Sequence, residues 1–271
     1  MSAIYYCDGG LALKSMGEEE GPEWLSAQDS VTIYQNDYMV LNSLGSHPNI
    51  VSLHYSTAEA TITHETTGQS QRVHNCQVLE ALHGGELFYH LVRYGPLTKE
   101  TSRGFFKQLL SGVSRIHSKG YIHRDLKPWN VILSDDHSQV KIIDFGLATP
   151  LEKANRKHPF NKYIKGTLQY MSPEISLTQE EQSVTLDLSE TDLSKVDTYA
   201  LGVILINMLT GNYLFKSCLS EEYVRIVSDF DYFMDILRQR ISDISEGELF
   251  DLTVLLQGML HPEPDSRFSI D

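Results

Sequence analysis

Residues 123–130 read His123-Arg124-Asp125-Leu126-Lys127-Pro128-Trp129-Asn130, and residues 143–146 read Ile143-Asp144-Phe145-Gly146. Asp125 offers a carboxylate that can orient and deprotonate an attacking hydroxyl, and Lys127 can hold a transferring phosphate. Asn130 and Asp144 supply oxygen ligands of the kind that Mg²⁺ prefers. Phosphoryl transfer needs an aligned hydroxyl and neutralised phosphate charge rather than covalent help from the protein. The two segments therefore predict a phosphoryl-transfer centre.

Composition is typical of a globular protein and excludes several classes. The 271 residues are 41% hydrophobic and 21% charged, and no apolar run approaches the ~20 residues of a membrane span. The N-terminus lacks the pattern of a secretory signal, and the three cysteines are widely spaced, which favours reduced thiols in the cytoplasm or nucleus. The formal charge of −14 argues against nucleic-acid binding. We expect a monomer.

The first part of the chain has the character of short strands. Residues 3–7 and 11–14 flank Asp8-Gly9-Gly10, a hairpin signal, and residues 50–55 and 76–79 predict two more strands. Residues 61–75 are polar and rich in turn formers, so we expect an extended solvent loop there.

Helical patterns dominate the remainder of the chain. Val40, Leu41 and Leu44 have helical spacing, and residues 102–117 and 198–208 predict further helices. A strand-rich start followed by a helix-rich remainder predicts an α+β protein with two lobes, joined near Gly84-Gly85.

Further motifs stand in a fixed order around the central segment. They are Leu11-Ala12-Leu13-Lys14, His47-Pro48-Asn49-Ile50-Val51, the run 80–88, Gly166-Thr167 with Ser172-Pro173-Glu174, Asp197, and Arg267 as a partner for Glu174. With these motifs the chain resembles a eukaryotic protein kinase catalytic domain of the serine/threonine type, over nearly its whole length. The motifs are most similar to the calcium/calmodulin-dependent and related basophilic kinases.

The resemblance implies a two-lobed kinase-like fold, with residues 1–82 as a small β-rich lobe and residues 83–271 as a large helical lobe. It implies ATP and Mg²⁺ as cofactors and a protein substrate. The residues implied to contact nucleotide are Ile4, Ala12, Lys14, Asp37, Leu79, Glu80, Leu82, Glu86 and Ile132. Those implied in catalysis are Asp125, Lys127, Asn130 and Thr167, with Asn130 and Asp144 holding magnesium. Leu41, Leu53, His123 and Phe145 match an apolar stack that links the lobes.

Substrate preference is implied by four positions. Lys127 together with Thr167 resembles kinases that act on serine and threonine. Glu86 matches a residue that meets an arginine three positions before the target, although a contact to ribose alone remains an alternative. Trp129 stands where a glutamate is common, so we expect little preference for a basic residue two positions before the target.

The chain departs from the family pattern in several places. Ile4 aligns just beyond a glycine-rich phosphate loop, so we expect an N-lobe without that loop, and the large lobe stops before its usual last helix; an incomplete sequence would explain both. Asp37 replaces the usual glutamate and is one methylene shorter, so its pairing with Lys14 needs a closer helix or a bridging water. Tyr163 stands at the usual activating threonine.

Several alternatives stay open at this point. The activation segment is either ordered without phosphorylation, which we favour, or Tyr163 is modified. The acidic run 179–192 is either a solvated insertion or a docking site. The missing loop and Asp37 also admit a catalytically silent kinase-like scaffold, and the phosphate chemistry admits a small-molecule phosphotransferase, against which Thr167 and residues 172–174 argue.

Overall fold

The computed structural model describes residues 2–16, 27–63, 66–154, 168–180 and 191–270. Its first part contains a four-stranded antiparallel sheet of order β1-β2-β4-β3. The strands are β1 (Ser2–Cys7), β2 (Leu11–Met16), β3 (Leu53–Thr63) and β4 (Ser70–Glu80). The predicted hairpin is confirmed: Ile4 pairs with Lys14, and Gly9 and Gly10 take left-handed φ values of 75° and 73° between the strands.

The solvent loop predicted for residues 61–75 is wrong. Residues 61–63 and 70–75 pair within a long β3–β4 ladder, in which Thr61 faces Arg72 and Thr63 faces Ser70. Most side chains at this end of the ladder are exposed, so the strands lack the apolar alternation by which a half-buried strand is found. Backbone hydrogen bonding sustains them where composition suggested a loop.

Helix α1 (Ala27–Leu44) lies between β2 and β3 in the chain and connects the sheet to the rest of the molecule. The predicted helical spacing is confirmed, because Val40, Leu41 and Leu44 are all buried. Their burial places one side of α1 in the main core, which also contains Phe145 from the second half of the chain.

The remainder of the described chain is mostly helical, as predicted. The longer helices are α2 (Leu87–Tyr94), α3 (Lys99–Ser118), α5 (Pro173–Glu180), α6 (Lys195–Thr210), α7 (Glu221–Ser228), α8 (Phe230–Arg240) and α9 (Glu246–Met259), with the short α4 (Leu151–Ala154). Short strand pairs join β5 (Tyr121–Ile122) to β8 (Thr149–Pro150) and β6 (Val131–Leu133) to β7 (Val140–Ile142). The β-rich first lobe and helical second lobe confirm the two-lobed kinase-like fold.

Helix α6 forms the centre of the helical lobe. Nearly all of its residues are buried, and it packs against α3, α8 and α9. A helix that is apolar on every side must be surrounded by protein, and this explains why residues 198–208 carry no polar face. None of the helices in the described ranges is both long and apolar enough to cross a bilayer.

The pair predicted between Glu174 and Arg267 is present and buried. The Arg267 guanidinium donates to both Glu174 carboxylate oxygens, at 2.8 and 3.0 Å, and also to the Lys195 carbonyl at 2.8 Å. The Arg267 side chain is fully buried and the Glu174 side chain is 6% exposed. Removing one partner of such a pair leaves the other charged and without hydrogen bonds.

We predict that Arg267→Met lowers the free energy of unfolding by about 3–5 kcal/mol, because Glu174 is then buried without its counter-charge. Urea unfolding followed by circular dichroism measures this. Arg238→Met is the matched control, since Arg238 pairs with Glu246 at the surface and its loss is expected to shift the unfolding midpoint little. Equal effects of the two changes would contradict the prediction.

Candidate active site

Asp197, at the start of α6, holds the backbone of the segment that opens with His123. Its Oδ2 accepts a hydrogen bond from the His123 amide at 2.8 Å, and its Oδ1 accepts one from the Arg124 amide at 2.9 Å. His117 Nε2 lies 2.9 Å from Oδ2. Burial alone would raise the pKa of Asp197, but the hydrogen bond and charge of His117 outweigh it and hold that pKa below its ordinary value. The backbone at His123 and Arg124 is therefore hydrogen-bonded to the buried, ionised carboxylate of Asp197.

The ring of His123 connects this loop to the segment that contains Asp144. Its Nδ1 accepts from the Asp125 amide at 3.3 Å, which leaves Nε2 to donate to the Ile143 carbonyl at 3.1 Å. The ring also meets Phe145 edge-on, with centroids 5.0 Å apart. Leu41 and Phe145 belong to one buried core, and Leu53 packs against that core.

Asp125, Lys127 and Asn130 form one polar cluster. Lys127 Nζ donates to both Asp125 carboxylate oxygens, at 2.9 and 2.7 Å. Asn130 Nδ2 donates to the Asp125 carbonyl at 2.8 Å and to Asp125 Oδ2 at 3.0 Å, which leaves its amide oxygen uncommitted within the described chain. Pro128 starts a short 3₁₀ turn that places Asn130 beside Asp125. The carboxylate is thus fixed in direction while remaining 17% exposed.

Lys14, on β2, lies between two carboxylates. Its Nζ is 2.7 Å from Asp37 Oδ2 and 3.5 Å from Asp144 Oδ1. Burial alone would lower the pKa of Lys14, but the negative charges of Asp37 and Asp144 outweigh it and raise that pKa. The lysine is therefore a permanent cation at neutral pH.

Asp37 reaches Lys14 directly, at 2.7 Å, so the pair requires no bridging water. Its second oxygen accepts a hydrogen bond from the Phe145 amide at 2.6 Å. The Asp37 side chain is only 2% exposed. The shorter carboxylate thus binds both the sheet and the segment 144–146, and the second contact was not predicted from the sequence.

Asp144 has the features of a cation ligand. Its backbone takes a left-handed φ of 64°, a strained conformation that non-glycine residues keep only where the surroundings enforce it. Its side chain remains 47% exposed beside Lys14. Loss of hydration acts to raise the pKa of Asp144, but the charge of Lys14 outweighs this and lowers it, so the carboxylate is ionised at neutral pH.

A cavity of about 460 Å³ opens between the sheet and the helical lobe. Every residue predicted to contact nucleotide lines it. From the sheet come Ile4, Ala12 and Lys14, and from the end of β4 and the following segment come Leu79, Glu80 and Leu82. Asp37, Glu86 and Ile132 complete the predicted set. Its volume is within the range of small-molecule and cofactor sites.

The segment after β4 presents one backbone donor to this cavity. The Leu82 amide N–H has no partner within the described chain, whereas the Leu82 carbonyl accepts a bond from the Tyr6 hydroxyl at 3.2 Å. The side chain of Glu80 is committed elsewhere, to the Ser52 amide at 2.7 Å and to Lys141 at 2.9 Å. Tyr6 was not predicted as part of the site, because an exposed tyrosine in a strand carries no sequence signal of its own.

Residues 10–271 match the family model described as "Protein kinase domain". The chain belongs to the protein kinase family. The predicted resemblance to a eukaryotic serine/threonine protein kinase domain is confirmed, since relatives carry that description at 30% identity or more.

Relatives of this kinase domain come from distant organisms. It is 31% identical over 191 residues to sperm motility kinase 2B of Mus musculus, covering 70% of this chain and 34% of the relative. It is 30% identical over 244 residues to the serine/threonine-protein kinase cds1 of Schizosaccharomyces pombe, covering 90% of this chain and 47% of the relative. It is 37% identical over 169 residues to CBL-interacting protein kinase 21 of Oryza sativa subsp. japonica, covering 62% and 28%. The chain thus spans a third to a half of most such relatives.

Glu86 occupies an unusual position in this kinase domain. It stands at the N-terminus of α2 and lines the cavity, but its side chain makes no capping hydrogen bond. Its Oε2 is buried without a hydrogen-bond partner within the described chain. Burial raises the pKa of Glu86. A buried, unpartnered carboxylate oxygen is costly unless a ligand satisfies it.

Trp129 takes the place of the common glutamate and packs against aromatic rings. It stacks on Phe88 with centroids 3.7 Å apart and meets Tyr170 edge-on at 6.4 Å. No acidic side chain stands at this position to attract a second basic residue, in agreement with the substitution noted in the sequence.

The predictions for Thr167 and Tyr163 fall outside the described residues, as does most of the acidic run 179–192, of which residues 179–180 close helix α5.

Arg124 is buried in the kinase domain, and its guanidinium donates to Thr149 Oγ1 at 3.2 Å. Burial lowers the pKa of Arg124 to about 10, against the attraction of Asp197, so the group stays charged at neutral pH.

Proposed function

We propose that this chain transfers the terminal phosphoryl group of ATP to serine or threonine hydroxyls of protein substrates. The observation that carries the proposal is the Asp125 carboxylate, which Lys127 and Asn130 hold in one orientation with part of its surface open. The names of relatives as serine/threonine kinases support the reaction class. We also place the boundary between the lobes after residue 82.

The cavity supports ATP as the nucleotide. The apolar side chains of Ala12, Ile132 and Leu79 line it. We assign Ala12 and Ile132 to sandwich the flat base and Leu79 to the gatekeeper position. The free amide of Leu82 and the backbone of Glu80 are the groups that would bond the base edge. Lys14 supplies a fixed positive charge for the α- and β-phosphates. Ile4 closes the cavity from β1.

Asp144 and Asn130 fit a magnesium ion. Both offer oxygen donors, and Mg²⁺ is commonly held by one or two protein groups together with substrate phosphates and water. Within the described residues, no cluster of three or more His, Cys, Asp or Glu side chains could hold a metal by protein ligands alone. When bound, the ion would neutralise charge on the phosphates.

The chemistry then follows from the polar cluster. A substrate hydroxyl approaches Asp125, which orients it and accepts its proton. The hydroxyl oxygen forms a bond to the γ-phosphorus while the bond to the β–γ bridging oxygen breaks, so ADP leaves and a phosphate ester remains. Lys127, within hydrogen-bond distance of Asp125, neutralises negative charge on the phosphoryl group during transfer. We assign Thr167 to the same catalytic centre.

A silent scaffold is the less favoured function. Such a protein has no chemical need for Lys14, Asp125, Lys127, Asn130 and Asp144 together, and Lys14 is already paired with Asp37 at 2.7 Å. A charged group between two carboxylates in a ligand-sized cavity is poorly explained by packing alone.

We predict that Asp125→Asn lowers the rate of phosphate transfer from ATP to a basic serine peptide by about 100- to 10,000-fold, since the amide cannot accept the proton. The rate is measured with Mg²⁺ present, and the phosphorylated residue is located by mass spectrometry. Asp231→Asn makes the same change on the exposed side of α8 and is expected to keep the parent rate. A parent that binds ATP but transfers no phosphate would favour the scaffold.

Glu86 supports a substrate preference for arginine at the −3 position, three residues before the phosphorylated serine or threonine. Its unpartnered carboxylate oxygen at the edge of the cavity would gain a charge-assisted hydrogen bond from a guanidinium. Trp129, which stands where a glutamate is common, stacks on Phe88, so we expect little preference for a basic residue at −2.

We predict that the parent prefers arginine over alanine at −3 and that Glu86→Gln reduces this preference about tenfold, as loss of one charge-assisted contact implies. The measurement compares kcat/KM for two peptides that differ only at −3. Glu100→Gln, at an exposed position in the first turn of α3, serves as control. If Glu86→Gln instead raises KM for ATP and leaves the peptide preference unchanged, Glu86 contacts the ribose of ATP. The proposed preference for arginine at −3 then fails.

A further inference from the structure

Asn36, immediately before Asp37 on α1, contacts the backbone that follows Asp144. Its side-chain Nδ2 lies 3.1 Å from the Phe145 carbonyl, 2.9 Å from the Gly146 carbonyl and 2.8 Å from the Ala148 carbonyl. Three acceptors thus converge on one donor group. Asn36 was not singled out from the sequence, because a polar residue on a helix has no signal of its own.

The chemistry of this contact requires an amide. A side-chain NH₂ group has two hydrogens, which three carbonyl oxygens share here, and the oxygen end of the amide could not face them. An aspartate has almost the same shape but would offer only acceptors to three acceptors. The contact therefore depends on the donor character of the group rather than on its size.

The backbone that Asn36 holds is a tight turn. The Ala148 amide donates back to the Phe145 carbonyl at 3.1 Å. A Cβ added at Gly146 would lie 2.5 Å from Ile33 Cγ2, so this turn is pressed against α1 one helical turn before Asn36. Asp144, directly before it, has a left-handed φ that the surroundings must maintain.

We propose that Asn36 is a positioning residue for Asp144: by holding the turn 145–148 against α1, its amide keeps the Asp144 carboxylate in the direction that binds the metal ion. Asn36 itself touches neither nucleotide nor metal in this assignment. The proposal rests on the proposed function, in which Asp144 is a metal ligand. Its effect is distinct from that of Asp37, which bonds the Phe145 amide and Lys14 rather than the carbonyls.

The test uses Asn36→Asp, Asn36→Ala and the control Gln35→Glu, which adds the same charge as the first variant at an exposed neighbouring position. In the Asn36 variants we expect the Mg²⁺ concentration for half-maximal phosphate transfer to rise about 10- to 100-fold, as loss of a group supporting a metal ligand typically causes. The KM for the peptide should stay near the parent value. Hydrogen exchange of the amides of residues 145–148, measured without metal or nucleotide, should accelerate by a similar factor.

Parent-like exchange and parent-like Mg²⁺ dependence in folded Asn36→Ala would overturn the proposal. So would equal effects of Gln35→Glu and Asn36→Asp, since charge alone would then explain both. If the parent transfers no phosphate, the proposed function fails, but exchange at residues 145–148 still decides whether Asn36 holds the turn. If Asn36→Asp does not fold, Asn36→Ala carries the comparison.

Discussion

The connection between the sheet and the segment around Asp144 depends on one buried carboxylate, that of Asp37. One oxygen lies 2.7 Å from Nζ of Lys14, a residue of the sheet. The other accepts a hydrogen bond of 2.6 Å from the backbone amide of Phe145, which follows Asp144. With the side chain 2% exposed, water cannot take the place of either partner. Because both bonds start from the same residue of α1, the position of this helix sets the distance between Lys14, to which we assign phosphate binding, and Asp144. The aspartate is one methylene shorter than the family's usual glutamate, and it still pairs directly with Lys14.

Much of the site was predictable because its chemistry is concentrated in a few short segments. Asp125, Lys127, Asn130 and Asp144 stand at fixed spacing, since a single loop and a short β6–β7 hairpin must place them together. The residues predicted to contact nucleotide, which are spread from Ile4 to Ile132, follow from the order of several motifs, and one cavity brings them together. The buried pair of Glu174 and Arg267 was found in the same way.

The parts that sequence reasoning missed have a common cause. Strands β3 and β4 continue through residues 61–63 and 70–75 because of backbone pairing, which their polar side chains do not reveal. The bonds of Asn36 are to carbonyl groups more than a hundred positions away in the chain, and no side-chain pattern encodes an acceptor that every residue possesses. The unpartnered oxygen of Glu86 likewise became visible only with the fold.

In the proposed function, Asp37 links nucleotide binding to metal binding. Calorimetric titration of ATP with and without Mg²⁺, in the parent and in Asp37→Ala, tests this most directly. We predict that Mg²⁺ tightens ATP binding by about tenfold or more in the parent, a coupling of ordinary size. Most of this gain should be lost in Asp37→Ala, although Asp37 is not itself assigned as a metal ligand. A folded Asp37→Ala variant with the full effect of Mg²⁺ would contradict it.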